Sequence, residues 1–189
     1  MCEQYKKLIN MAVWVGIALF FFRCLISLSS IINNFSVYTV FGYEGEVICV
    51  TVIIICCYEK WLWKYNPLEK TPVLNRYYIG TLKSTYDDIE RRASLEIKQT
   101  LLSTHVVLDS SESKSKSISS SVIEILGEKL LIYCYLNTPK ATVRKRSEIH
   151  YGTAMLCIEN PNKLTGQYFS DRGTTGDMEF LLEQKEKST

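Results

Sequence analysis

Aromatic rings and a few cations in the second half of the chain are the side chains best suited to hold a flat, charged ligand. Tyr77, Tyr78, Tyr133, Tyr135, Tyr151, Tyr168 and Phe169 offer stacking surfaces, while Arg76, Lys140, Arg144 and Arg172 fall at strand ends or turns. Stacking combined with convergent guanidiniums is how a concave site captures a nucleotide. The competing role is packing, because a tyrosine on an alternating strand is usually half-buried and an arginine on a turn is usually solvated. Catalytic chemistry is poorly provided for. The chain has two histidines, His105 and His150, and carries no G-x-S-x-G, H-E-x-x-H or P-loop pattern. Cys134 and Cys157 form no C-x-x-C pair for a structural zinc. Asp87, Asp88 and Glu90 are followed directly by Arg91 and Arg92, which turns an acidic cluster into an ion-paired loop. The expectation is a binding protein and not an enzyme, with no metal and no cofactor apart from the bound ligand.

The elements that must position these side chains are mostly strands. Short runs rich in β-branched and aromatic residues alternate with period two and are separated by turn chemistry. They predict strands at 77–85, 93–101, 105–109, 117–126, 129–137, 151–159, 164–170 and 175–182. In 129–137 one face carries Leu130, Ile132, Cys134 and Leu136, and the other Leu131, Tyr133, Tyr135 and Asn137. Gly127-Glu128 reads as a two-residue hairpin of type II′, and Asp171-Arg172-Gly173-Thr174 as a second hairpin. About eight short antiparallel strands imply a small, lipocalin-like β-barrel, whose closure removes exposed edges and leaves a ligand-sized interior. The stretch 110–121, with eight serines and two lysines, reads as a solvated hairpin tip.

The first third of the chain is chemically different. Between positions 8 and 58 the charged residues are Arg23, Glu44 and Glu46, although the whole chain carries 22 Lys and Arg against 20 Asp and Glu and has a mean hydropathy of zero. Apolar runs predict transmembrane helices at 11–32 and 43–63, a membrane α-hairpin, each long enough at roughly 1.5 Å per residue to cross about 30 Å of hydrocarbon. Trp61, Trp63 and Tyr65, interleaved with Lys60 and Lys64, mark a headgroup-level anchor. Lys6 and Lys7 precede the first span, Lys60, Lys64 and Lys70 follow the second, and the connection 33–46 has no Lys or Arg. By the positive-inside rule both termini are cytoplasmic and the connection is a short outer loop. Arg23 costs on the order of 2.5–3.5 kcal/mol near a helix centre. Two placements offset that cost: snorkelling to the interface, or facing a partner helix or polar path in an oligomer. Gly16, Ser27, Ser29 and Ser30 are small enough for close helix approach. Pro67 and Pro72 divide the anchor, 1–70, from a cytoplasmic β-barrel domain, 71–189. Of the seven cysteines, most lie in the apolar part, as expected of reduced thiols. The triplet Arg144-Lys145-Arg146 reads as a basic face toward the lipid of the inner leaflet. A net charge of +2 argues against a nucleic-acid polymer as partner.

Two membrane helices followed by a small β-rich domain resemble the CD-NTase-associated effectors of bacterial CBASS anti-phage systems. The resemblance is carried by RYYIGTLKSTYDD (76–88) and LTGQYFSDRGTTGDMEF (164–180). It implies a bacterial inner-membrane protein whose barrel binds a cyclic dinucleotide made by a CD-NTase. It further implies that the chain then forms a homo-oligomer and disrupts the membrane, causing abortive infection. Carried onto this chain, the matching stretches nominate Arg76, Tyr78, Thr81, Tyr168, Arg172 and Thr175 as ligand-binding residues. Strand patterning adds Tyr133, Asn137 and Tyr151, and Arg23 is nominated for the membrane function. The alternatives are a membrane-tethered lipocalin-like lipid carrier or protein scaffold, and a stand-alone small pore former.

Overall fold

The computed structural model describes residues 3–27, 32 and 36–183. The chain divides into Met1–Glu69 with Thr100–Leu102, and Lys70–Gln99 with Ser103–Thr189.

The first unit is a helical hairpin of α1 (Glu3–Ile26) and α2 (Val37–Lys60). Within them Gln4–Ile26 and Val40–Lys60 are long and apolar enough to cross a membrane. The α1 helix starts earlier than the apolar run, because Lys6, Lys7 and Asn10 tolerate helical geometry and hydropathy marks only the part that suits hydrocarbon, and α2 starts at Val37, ahead of the expected 43. Positions 28–31 of the expected first span, with Ser29 and Ser30, lie outside the described residues. The expected outer loop is shorter than the charge pattern suggested. Ser36 is the N-cap of α2, so Glu44 and Glu46 stand on a helix. There Glu46 faces Arg23, whose Nε donates to its Oε2 at 2.7 Å, and the Arg23 guanidinium lies 4.2 Å from the Tyr43 ring centroid and bonds the Ser27 hydroxyl. The charge is thus met inside one hairpin. At the far end of α2, Lys60 and Lys64 lie over the rings of Trp61 and Trp63 at 4.9 and 6.0 Å.

The second unit is an eight-stranded closed antiparallel barrel, an uninterrupted meander in which β1 also pairs with β8. Its strands are β1 (Tyr77–Ser84), β2 (Glu90–Gln99), β3 (Thr104–Ser110), β4 (Ser113–Ile125), β5 (Glu128–Pro139), β6 (His150–Asn160), β7 (Lys163–Ser170) and β8 (Thr175–Leu182). Two sequence expectations need correction. The β4–β5 turn is Leu126-Gly127, one residue earlier than expected, with φ of 51° and 87°. Two positive φ values make it type I′, whose twist matches the flanking strands, and Gly127 takes its left-handed position without a Cβ penalty. Within the serine-rich stretch the hairpin tip is confined to Ser111 and Glu112, between β3 and β4, and from Ser113 onward the stretch is strand. Ser113, Ser115 and Ser117 alternate with Lys114 and Lys116, so hydroxyls face inward and ammonium groups outward; a polar interior satisfies the alternation rule without apolar residues. A register shift between Ser117 and Ser119 then interrupts the ladder to β5. Beside it, serine side chains complete the β3–β4 seam, where the Val106 N–H donates to Ser117 Oγ at 2.9 Å.

The meander gives the barrel two unlike ends. The chain enters β1 at the end where β8 finishes, and there Tyr78, Leu95, Val106, Leu131, Leu156, Leu164 and Phe180 are fully buried. Each such apolar side chain contributes about 1.5–3 kcal/mol relative to exposure. The other end gathers the β1–β2, β3–β4, β5–β6 and β7–β8 connections, and it is polar.

Candidate ligand-binding site

The polar end opens into a cavity of about 140 Å³. Tyr133 and Tyr135 of β5 and Tyr168 of β7 form its aromatic wall. Strand phase aims them inward: Leu131, Tyr133, Tyr135 and Asn137 occupy the buried face of β5. Two glycines make the room. Gly152 pairs with Tyr135 and Gly176 with Tyr168, and a Cβ on either would stand within 2.5 Å of the opposing tyrosine ring or hydroxyl. Tyr133 and Tyr135 are 2 % and 6 % exposed, yet neither hydroxyl meets a hydrogen-bond partner among the described residues. Burial pushes both phenols well up, and each ring adds to the effect through its neighbour, Tyr135 on Tyr133 and Tyr168 on Tyr135. They are neutral groups able to donate and accept toward the cavity.

Beside the tyrosines runs an ordered chain of side chains. Ser115 Oγ donates to Asn137 Oδ1 at 2.9 Å, Asn137 Nδ2 lies 3.4 Å from His150 Nε2, and His150 Nδ1 lies 2.8 Å from the Glu148 carbonyl. A carbonyl only accepts, so His150 Nδ1 carries the proton and Nε2 receives the Asn137 amide. The rim is charged. Arg91 of β2 grips Asp87 through two guanidinium nitrogens and donates from Nε to Glu112 Oε2 at 3.2 Å; Arg146 takes the other oxygen of Glu112. The bond from Arg91, more than any other influence, holds the Asp87 carboxyl down to about 2. The same contact raises the Arg91 guanidinium above its ordinary value. Arg172 donates to Ser147 Oγ at 3.1 Å and meets no carboxylate among the described residues.

Of the residues nominated from sequence, Tyr133, Asn137, Tyr168 and Arg172 line this cavity together. The others are placed elsewhere. Tyr78 fills the closed end, its hydroxyl donating to the Pro161 carbonyl at 2.7 Å and accepting the Asn75 N–H at 2.9 Å. Arg76 is exposed, pairs with Glu96 at 3.0 Å and lies over Tyr77. Thr81 lies on an exterior groove with Lys83, Gln167 and Glu179. Tyr151 projects from the outside of β6 with 57 % exposure. Thr175 supplies its carbonyl to Thr85 at 2.9 Å, while the adjacent Thr174 lines the cavity. Arg23 belongs to the hairpin. Arg91, Glu112, Ser115, Arg146 and His150 line the cavity without having been nominated. The serine and lysine alternation was the available signal for Ser115; nothing local distinguished Arg146 from a solvated basic face.

The profile of the Cap15 cyclic dinucleotide receptor domain matches residues 69–181, which spans the barrel. The chain is also 31% identical over 182 residues to CD-NTase-associated protein 15 of Staphylococcus schleiferi, covering 94% of this chain and 97% of that protein. The chain belongs to the Cap15 family. It therefore belongs with the CBASS effectors that stretches 76–88 and 164–180 resemble. Within a Cap15 receptor domain the polar cavity is the concave surface that joins aromatic faces, unpartnered hydroxyls and guanidiniums. Among the described residues no group of His, Cys, Asp and Glu has the arrangement of a metal site.

Proposed function

We propose that the polar mouth binds a cyclic dinucleotide made by a CD-NTase, and that binding assembles the chain into homo-oligomers which disrupt the bacterial inner membrane and abort infection. The observation that carries this reading is the pair of largely buried tyrosines, Tyr133 and Tyr135, whose hydroxyls have no protein partner among the described residues and open onto a cavity rimmed by arginines in a Cap15 receptor domain. The bases stack against Tyr133, Tyr135 and Tyr168, the Ser115–Asn137–His150 chain reads their polar edges, and guanidiniums at the rim meet the phosphodiesters. The protein acts as a ligand-gated effector and not as an enzyme, with no cofactor apart from that ligand. Both termini lie on the cytoplasmic side, supported by lysines before α1 and after α2. Exposed Tyr151, Met155 and Phe169 on the barrel exterior and the apolar faces of the hairpin supply surface for self-association.

The test uses the full chain in nanodiscs, titrated with a panel of cyclic dinucleotides by calorimetry and followed by sedimentation and by dye leakage from liposomes. One or more of them is expected to bind, shift the protein to larger species and release dye; no heat with any member of the panel would sink the reading. A lipid carrier is disfavoured by the lining of Arg91, Glu112, Ser115, Asn137 and His150, and native mass spectrometry showing lipid retained in the barrel would favour it instead.

A further inference from the structure

Glu112 stands in the short β3–β4 connection at the rim of the cavity. Its position is well determined. The Glu112 carbonyl accepts the Lys140 N–H at 2.8 Å, the Lys140 ammonium holds the preceding Ser111 carbonyl at 2.7 Å, and Ser110 Oγ accepts the Ser113 N–H at 3.1 Å. From this fixed turn one carboxylate spans two guanidiniums from distant parts of the chain, Arg91 on β2 and Arg146 in the connection 140–149. Arg91 is only 13 % exposed in its side chain, so its interaction is poorly screened. A carboxylate bridging two guanidiniums presents the same pair of acceptor oxygens and the same sign of charge as a phosphodiester.

Resting on the reading that phosphate groups enter this mouth, we propose that Glu112 sets the affinity threshold of the site: an internal phosphate mimic that occupies the Arg91–Arg146 position until a ligand displaces it. Any phosphate ligand must then break the same two contacts, which lowers every apparent affinity by the fraction of time the position is free. A mononucleotide or inorganic phosphate has few other contacts, so this tax keeps it out at cellular concentrations. A ligand with two bases against the tyrosines and a second phosphodiester near Arg172 retains enough binding to displace the carboxylate. Glu112 thereby sets how much binding a phosphate ligand must bring from its other contacts to occupy the mouth, without contacting a base.

The experiment compares the full-length wild type with Glu112→Gln and Glu112→Ala in nanodiscs, each first checked for an unchanged thermal midpoint. Calorimetry is run with inorganic phosphate, AMP and the cyclic dinucleotide panel. Both variants are expected to bind phosphate, AMP and the recognised dinucleotide about tenfold tighter or more, as removal of such a tax requires. Unchanged or weaker binding by the folded variants overturns the proposal while leaving the cyclic dinucleotide reading intact. A gain for phosphate and AMP, with no dinucleotide bound by any protein, leaves the Glu112 proposal standing as phosphate exclusion and overturns the dinucleotide reading. Should both variants misfold, the wild-type complex decides: a crystal structure with ligand phosphate on Arg91 and Arg146 and Glu112 withdrawn supports the proposal, and Glu112 still bridging them overturns it.

Discussion

The two ends of the barrel are made from the same eight strands and both bury tyrosines, but they complete them differently. At the closed end Tyr78 donates to the Pro161 carbonyl and accepts the Asn75 N–H, inside a shell of Leu95, Leu164 and Phe180. At the mouth Tyr133 and Tyr135 are as deeply enclosed, yet their hydroxyls meet no protein partner among the described residues, and the surrounding side chains are Ser115, Asn137 and His150. A buried polar group is costly when left unpaired. At the mouth that cost is avoided because the Tyr133 and Tyr135 hydroxyls open onto the cavity, where solvent or a ligand can meet them; among the described residues the buried side-chain polar atoms without a partner are Thr51 Oγ1 and Trp63 Nε1, both outside the barrel. Folding energy is concentrated near the point where the chain enters the barrel, and binding capacity is concentrated opposite.

The largest expected effect tests the closed end. Phe180→Ala, at a fully buried position, should destabilise the barrel by about 3–5 kcal/mol in chemical denaturation of the full chain. A cost equal to that of a single hydroxyl deletion at the mouth would abolish the contrast.

A smaller but sharper pair compares one tyrosine from each end. Tyr78→Phe removes a hydroxyl with two partners and should cost about 1–3 kcal/mol, since the Asn75 N–H and Pro161 carbonyl lose theirs. Tyr133→Phe removes a hydroxyl with none and should leave stability within about 0.5 kcal/mol of wild type or raise it. Its effect should appear instead as roughly tenfold weaker cyclic dinucleotide binding, the loss of about one hydrogen bond. Equal stability losses in the two variants would show that the ends are not energetically distinct.

The smallest effect concerns pH. The Asp87 carboxyl lies at about 2 in the folded protein, below an ordinary 3.8. A lowered carboxylate value contributes stability that is present above the ordinary value and is lost as pH falls from about 4 to 2. Thermal midpoints should therefore decline across that window, and Asp87→Asn should flatten the decline. An identical slope in the variant would remove Asp87 from the account of the acid limb.

Much of the architecture was legible because it depends on local periodicity. The β8 strand occurs where alternation put it, and the hairpin after Ser170 spans the expected Asp171-Arg172-Gly173-Thr174. Serine-rich composition suggests a solvated tip over all of 110–121, but alternation carries strand from Ser113 and leaves the tip at 111–112; the β4–β5 turn falls one residue early because Leu126 takes a positive φ. For the site, patterning along β5 brought Tyr133 and Asn137 to one face, and closure of the barrel carried Tyr168 and Arg172 to the same cavity. Arg76 and Tyr78 share the first recognised stretch but stand at the opposite end, because β1 begins at the closed end and only its last residues approach the mouth.

The sequence by itself determined two membrane-length apolar helices, a run of alternating strands and a shortage of catalytic groups, all properties of neighbouring residues and of the bilayer or sheet they must suit. Only the tertiary structure decided which tyrosines lack partners and that Arg91, Glu112 and Arg146 meet. Those positions lie in separate strands and connections, and their convergence follows from the strand register and closure of the whole meander. The same holds in the hairpin. Arg23 is an isolated charge along the chain, and antiparallel packing of α1 and α2 is what sets Glu46 against it.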